Sequence, residues 1–259
     1  MILKTLFDPL GGRYQGTVFA VRDDCLSSGV WFGLPVGLLV ASIVFLMIDR
    51  DLFIWWLGME TGPGENLTAI SFVVSGVLAF LIARRKITIP VAWLRGGFYA
   101  IGAVALLIAG EEWSWGQHFF RWETPDWLAS INKQRETNLH NVAENALDQK
   151  PRAVFTFAIL LVGFLIPLLR RRITWLDRYP FVDWLMPSRL LIPTTLIVFF
   201  PRLIERFQLW FDISLPEAYA VTTRDYQELQ ELYISIFVFI YLANLLLRIR
   251  QYEKGRGSG

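Results

Sequence analysis

Six apolar blocks, separated by charged segments, divide this chain of 259 residues. A helix needs about 20 consecutive apolar residues to cross a bilayer, within a range of about 17–25. The blocks are residues 28–48, 66–83, 91–110, 153–169, 190–200 and 232–247. The fifth block is the weakest, because Pro193 and Pro201 bracket its centre and it reaches spanning length only with residues 184–189 or 202–210. The pattern predicts an all-α integral membrane protein, a bundle of about six transmembrane helices.

Composition excludes several other classes of protein. Hydrophobic residues make up 54% of the chain and charged residues 19%, below the ~25% that is usual in soluble domains. A single cysteine, Cys25, cannot form an internal disulfide, and a net charge of +2 gives no reason to expect a nucleic-acid partner. We expect one transmembrane domain, residues 1–250, followed by a flexible tail, residues 251–259.

The distribution of charge predicts the orientation. Cytoplasmic loops of membrane proteins collect Lys and Arg. Segments 1–27, 84–95, 170–189 and 248–259 hold 16 basic and 6 acidic residues, whereas segments 49–65, 111–152 and 201–231 hold 9 basic and 17 acidic residues. The first set is therefore predicted to be cytoplasmic, with both termini inside, and the second set to lie on the outer side.

One outer segment is chemically unusual, because residues 110–149 contain both histidines of the chain. Glu111, Ser114 and His118 have the i, i+3, i+7 spacing of one helical face. Further on, Glu136, His140 and Glu144 are spaced i, i+4, i+8, which is again one stripe. With Pro125 between the two pieces, the segment is predicted to fold back as a helical hairpin that presents a Glu–His stripe from each arm.

Carboxylate and imidazole groups together suit a divalent metal such as zinc or iron. We expect Glu111, His118, Glu136 and His140 to be the metal ligands, with Glu112 or Glu144 as the catalytic proton carrier. Two alternatives stay open at this point. In one, no metal binds and a histidine acts as a general base oriented by a Glu; in the other, these residues are only solvated or paired with one another.

Other residues on the outer side are candidates for substrate binding. Glu65 lies at the start of the second block, and Arg202 and Arg206 follow the fifth block at helical spacing. An Arg near the surface can hold a phosphate or carboxylate with two parallel hydrogen bonds. We therefore predict that Glu65, Arg202 and Arg206 contact the substrate.

Three motifs carry a resemblance to a known family. GPGENLTA before the second block, GEEWSWGQHFF after the third block, and ETNLHN resemble an uncharacterised family of bacterial multi-pass membrane proteins. The resemblance covers about residues 60–145 and implies a bacterial inner membrane, but it brings no known activity. A more distant likeness is to membrane hydrolases of the alkaline ceramidase type. This chain departs from them because it lacks a His-x-x-x-His pair and has six predicted spans rather than seven.

Three functions compete on this reading. The first is a metal-dependent hydrolase or transferase in the membrane, acting on a lipid or lipid-linked substrate at the outer side. The second is a non-catalytic accessory subunit of a larger respiratory or photosynthetic complex, whose partners would be other membrane subunits. The third, a small transporter, is disfavoured because no block carries a charge or histidine at mid-depth, where transporter sites usually lie.

Overall fold

The structure is a computed structural model. It describes residues 25–59, 61–86, 88–89, 91–132, 135–139, 142, 149–169, 172, 185–213, 216, 219 and 221–257. This part of the chain is helical and contains no strand; an isolated β-bridge joins Asn132 to Val142. The predicted all-α fold is confirmed for the residues described.

The helices are labelled in chain order. They are α1 (Leu34–Ile48), α2 (Arg50–Phe53), α3 (Pro63–Ala83), α4 (Ala92–Glu112), α5 (Gln117–Phe120), α6 (Asp126–Ala129), α7 (Gln149–Leu160), α8 (Ile192–Trp210) and α9 (Thr223–Gly257). Irregular helical turns precede α1 (Gly29–Gly33), α5 (Ser114–Gly116) and α8 (Arg189–Leu191). Another irregular turn, Ile54–Gly58, follows α2. After α7, the helix continues through an irregular turn, Leu161–Leu165, and ends with a regular turn, Ile166–Leu169.

Four helical stretches of the described chain are long and apolar enough to cross a membrane. They are Gly29–Ile48, the apolar stretch Arg50–Ala83 with α3 as its main helix, Ala92–Glu112 and Thr223–Gly255, and a shorter apolar helix covers Val154–Leu169. Helix α8 occupies the place of the fifth predicted block and extends through residues 202–210. The count of six spans and the orientation of the termini stay predictions.

Local sequence explains where α3 begins. Gly62 has an extended backbone, and Pro63 occupies the first turn of the helix, where a missing N–H costs nothing and the fixed φ suits the helix. Glu65 lies in the same turn, and its carboxylate is favoured by the partial positive charge of the helix N-terminus.

Helices α3 and α4 form a close antiparallel pair. A Cβ atom on Gly102 would lie 2.6 Å from the ring of Phe80, and one on Gly76 would lie 2.9 Å from Leu106. Small residues let helix backbones approach closely in membranes. At the end of the pair, the indole of Trp113 donates to Asn66 Oδ1 at 3.0 Å. The start of α3 and the end of α4 therefore lie together.

Helix α9 is the central helix of the bundle. Its fully buried side chains include Leu232, Tyr233, Ile236 and Ile240. The hydroxyl of Tyr233 donates to the backbone oxygen of Pro35 at 2.8 Å, so α9 also contacts the turn at the start of α1.

Contacts of α9 define two ends of the bundle. Asp225, in its first turn, lies beside Gly58, five residues before α3 begins. At the opposite end, Glu253 accepts from Arg85 at 2.9 Å and from Thr88 at 2.8 Å. We call these the acidic end and the basic end. The acidic end holds the start of α3, the end of α4 and the start of α9.

The last helix is longer than the sequence predicted. Residues 251–257 belong to α9 and were expected to be part of a flexible tail. Tyr252 is buried, and the contacts of Glu253 with Arg85 and Thr88 hold this last part of the helix against the loop after α3.

Candidate functional site

The chain turns sharply where α4 ends at the acidic end of the bundle. Ser114, Trp115 and Gly116 have φ values of 44°, 57° and 93°, in the left-handed region that costs free energy for residues other than glycine. Helix α5 then begins at Gln117. The prediction that Glu111, Ser114 and His118 share one helical face is wrong, because this turn ends the helix before His118.

The turn brings His118 to Glu136. His118 Nε2 lies 3.0 Å from Glu136 Oε1, within the distance of an ion pair, and neither of these two buried atoms makes a hydrogen bond within the described part of the chain. The other carboxylate oxygen, Oε2, accepts from Ser114 Oγ at 2.8 Å and from Asn138 Nδ2 at 2.6 Å. Two donors thus hold one oxygen of the Glu136 carboxylate, a group that only accepts when it is ionised. We call His118 and Glu136 the dyad.

Burial distinguishes the two members of the dyad. Glu136 is 6% exposed, whereas the side chain of His118 is 21% exposed. Because Nε2 of His118 is buried, the exposed surface belongs to the rest of that side chain. The imidazole therefore lies between an enclosed carboxylate and the outside of the protein.

Two further side chains hold the dyad in place. Gln117 accepts from the backbone N–H of Thr137 at 2.6 Å and donates to Thr124 Oγ1 at 2.8 Å. Asn132 accepts from the backbone N–H of Glu136 at 3.2 Å and donates to the backbone oxygen of Asn138 at 2.8 Å. These bonds fix the segment that carries Glu136 against the segment that carries His118.

Glu111 joins the end of α4 to two other parts of the polar segment. Its Oε1 accepts from the indole of Trp115 at 2.7 Å, and its Oε2 accepts from the backbone N–H of Leu139 at 2.5 Å. Both oxygens are thus engaged by N–H donors that tie residues 115 and 139 to the end of α4. Neither of these two bonds joins Glu111 to the dyad, and its role as a metal ligand stays a prediction.

The second predicted helical arm also differs. Residues 135–139 are not helical, so Glu136 reaches His118 from an irregular segment and not from a helical stripe. His140 and Glu144, the remaining members of that stripe, lie outside the described residues. Their roles as metal ligand and proton carrier stay predictions.

The described residues contain no group of three His, Cys, Asp or Glu side chains placed to hold a metal ion. The position of Glu136 fits a supporting role in such a site, since a metal-ligating His almost always bonds through its other nitrogen to a carboxylate or similar group. A metal on His118 would then need its further ligands from residues outside the described part, His140 among them.

The remaining predicted residues lie on three different helices. Glu112 is half-buried at the end of α4, Glu65 is half-buried in the first turn of α3, and Arg206 is exposed on α8. Residue 202 belongs to α8, but its side chain lies outside what the structure describes.

Sequence reasoning missed the amide side chains Gln117, Asn132 and Asn138. Their signal in the sequence is the density of Asn, Gln, Ser and Thr in residues 114–138, which has no helical period. Amides that bond to nearby backbone groups commonly replace regular structure in such segments.

Comparison of the chain with protein-family models, with curated proteins and with solved structures finds no match. The resemblance of the three motifs to a bacterial membrane family stays a prediction.

Proposed function

We propose that the chain is a membrane-embedded hydrolase or transferase that acts on a lipid or lipid-linked group, with His118 as its general base. The observation that carries this proposal is the contact of 3.0 Å between His118 Nε2 and Glu136 Oε1. A carboxylate beside Nε2 favours the neutral imidazole that is protonated at Nε2, and this form has a lone pair on the other nitrogen, Nδ1.

The reaction follows from this arrangement. His118 takes a proton from water, or from an acceptor hydroxyl, as that oxygen attacks the scissile carbonyl or phosphorus. Glu136 stabilises the imidazolium that forms, and the imidazolium returns the proton to the oxygen that leaves. Glu136 keeps its position throughout, because Ser114 and Asn138 donate to its second oxygen.

The surroundings of the dyad favour an amphiphilic substrate. Trp115, Phe119 and Phe120 are exposed on the same turn of chain that carries His118, and Phe120 is 77% exposed. Aromatic side chains are enriched where a membrane meets water. With the charge distribution, this supports a dyad at the outer, periplasmic face of a bacterial inner membrane, where Glu65, Arg202 and Arg206 are proposed to contact the substrate headgroup.

A metal-dependent form of this reaction also needs His140 and Glu144, which lie outside the described residues. Zinc or iron would supply an activated water, with Glu111, His118, Glu136 and His140 as the predicted ligands and Glu112 or Glu144 as the proton carrier. Stoichiometric metal in the purified protein, lost when His118 is replaced, would support this form of the reaction over the metal-free form.

The proposal is tested with the purified protein in vesicles of phosphatidylethanolamine and phosphatidylglycerol, with lipid products followed by mass spectrometry. We expect the wild-type protein to form a hydrolysed or transferred product, and His118→Ala to lower its rate by about 100-fold or more. Glu123→Gln is the control, because Glu123 is an exposed carboxylate of the same loop. Equal rates for His118→Ala and wild type would contradict the proposal.

A second function, that of an accessory subunit of a respiratory or photosynthetic complex, is favoured by a separate observation. Phe120, Trp127 and Trp210 are 77%, 67% and 76% exposed, and large exposed apolar groups mark interaction surfaces. A fixed stoichiometry with the same membrane subunits in mild detergent, together with no lipid turnover, would favour this function over the enzyme.

A further inference from the structure

Helix α8 carries a continuous apolar stripe on its outer face. Leu196, Phe200, Leu203, Phe207 and Trp210 are 51%, 44%, 65%, 54% and 76% exposed. Their spacings of 4, 3, 4 and 3 residues place them on one side of an α-helix. The stripe covers 14 residue steps, which corresponds to about 21 Å along the helix.

The opposite face of α8 packs into the bundle. Thr194 and Val198 are fully buried, and Glu205, on the same face, is 8% exposed. Gln230 of α9 donates to the backbone oxygen of Val198 at 3.2 Å. Near the end of α8, Gln208 accepts from the hydroxyl of Tyr226 at 3.0 Å. Helix α8 is therefore a firmly packed member of the bundle with one face uncovered.

The charges of α8 are placed so that they do not interrupt the stripe. Arg202, Glu205 and Arg206 all lie in its second half. Glu205 is turned into the bundle, where charged groups of membrane helices are usually found. Arg206 is exposed one turn before the end of the helix, and an Arg so close to a helix end reaches the headgroups with its long side chain.

The length and the neighbours of α8 identify what covers the stripe. A helix of 19 residues is about 28 Å long, close to the ~30 Å thickness of the hydrocarbon core. Helix α8 packs beside α1, whose outward residues Val40, Ile43 and Met47 are also exposed and apolar. The stripe thus continues a surface that belongs to a helix apolar enough to cross the membrane.

We propose that the stripe on α8, the helix of the fifth predicted block, contacts lipid acyl chains and that the second half of α8, which carries the three charges, lies in the bilayer with the first. The three charged residues of its second half lower the mean hydropathy of α8. That average does not distinguish the lipid-facing side of a helix from the side that packs into the bundle. Trp210, at the end of the stripe, is then at the level of the headgroups, as is typical of tryptophan.

The proposal is tested by spin labels on single cysteines in a Cys25→Ser background, with the protein in nanodiscs of phosphatidylethanolamine and phosphatidylglycerol. Labels replace Phe200, Leu203 and Phe207 in turn. A label at Leu107, which is 55% exposed on α4, gives the reference for a lipid-facing position, and a label at Val198 gives the reference for a buried one. Collision with oxygen reports lipid, and collision with a water-soluble nickel chelate reports water.

We expect the three stripe labels to match Leu107, with frequent oxygen collisions and few nickel collisions. Frequent nickel collisions at Phe200 and Leu203 would overturn the proposal, because they would place α8 in water. Infrequent collisions with both reagents would also overturn it, since a second copy of the chain or another protein would then cover the stripe. If the label at Val198 prevents folding, the comparison with Leu107 still decides the outcome.

Discussion

At the scale of single residues, Asn138 is the side chain on which the position of Glu136 most depends. It is 1% exposed, donates to Glu136 Oε2 and to Ser114 Oγ, and accepts from Asn132. A buried acceptor that loses its donor costs free energy, and hydrogen bonds to charged groups contribute about 1.5–3 kcal/mol.

We therefore expect Asn138→Ala to lower the free energy of unfolding by about 1.5–3 kcal/mol, measured by denaturant titration in detergent. Ser130→Ala is the matched control, because Ser130 is exposed and its hydroxyl donates only to the nearby backbone oxygen of Trp127 in the bonds described. The control should change stability by no more than about 0.5 kcal/mol. Equal effects of the two substitutions would show that the network around Glu136 is not coupled to folding.

The residue types in the sequence identified the polar segment. They did not predict which of its side chains contact one another. Both histidines and five glutamates in one segment pointed to residues 110–149, and the structure places His118 against Glu136 within it. The sequence also grouped Glu111 with His118, whereas Glu111 binds Trp115 and the backbone of Leu139. The pairing of each glutamate with a histidine depends on the path of the backbone. That path cannot be read from the residue types alone.

At the scale of elements, helical spacing correctly indicates which residues share a face within the long helices. It fails in the segments that connect them. The spacing of Glu111, Ser114 and His118 predicted one helical face, but three successive positive φ values end the helix before His118. Only Gly116 signals this break in the sequence. The bonds from Trp113 to Asn66 and from Trp115 to Glu111 accompany the turn, and one of them reaches another helix.

The close approach of the final part of α7 to α8 and α9 gives a prediction at this scale. A Cβ atom on Gly163 would overlap Phe237 of α9 and Thr195 of α8. We expect Gly163→Ala to lower the free energy of unfolding by about 1–3 kcal/mol, as is usual for overpacking.

Gly97→Ala provides the comparison for Gly163→Ala. Gly97 lies in α4 with no atom within 4 Å of an added Cβ, so its replacement should be neutral or stabilising by up to about 1 kcal/mol, because Ala is the better helix former. Thermal unfolding in detergent measures both variants. A stable Gly163→Ala protein would mean that α7 packs less closely than described.

At the scale of the whole molecule, the bundle has an acidic end that carries the dyad and a basic end that carries Arg85 and Glu253. The four long apolar helices and the position of the polar segment after the third of the predicted blocks were predicted from hydropathy and charge alone. Both properties depend only on the order of residues in the sequence. The full extent of α9 was not predicted, because residues 251–257 are polar and Gly-rich and are held in place by α3 and its following loop.

Membrane orientation is predicted by the distribution of charge. In sealed cells expressing the Cys25→Ser protein, an impermeant thiol reagent should label a cysteine at Thr61 or Asp126 from outside. It should label one at Lys86 only after the membrane is opened. All three positions are exposed, so failure to label reports sidedness and not burial. Labelling of Asp126→Cys only from the cytoplasm would place the dyad on the inner side and refute the predicted orientation.

The measurement that tests the account most directly is a double-mutant cycle on the dyad, with the rate of lipid product formation in vesicles as its readout. His118→Ala, Glu136→Gln and the double variant are compared with wild type. If Glu136 acts through His118, each single substitution lowers the rate strongly, and the double variant is little slower than His118→Ala, because residues that act as a unit are not additive. A Glu136→Gln protein with the wild-type rate, or losses that multiply in the double variant, would contradict the account.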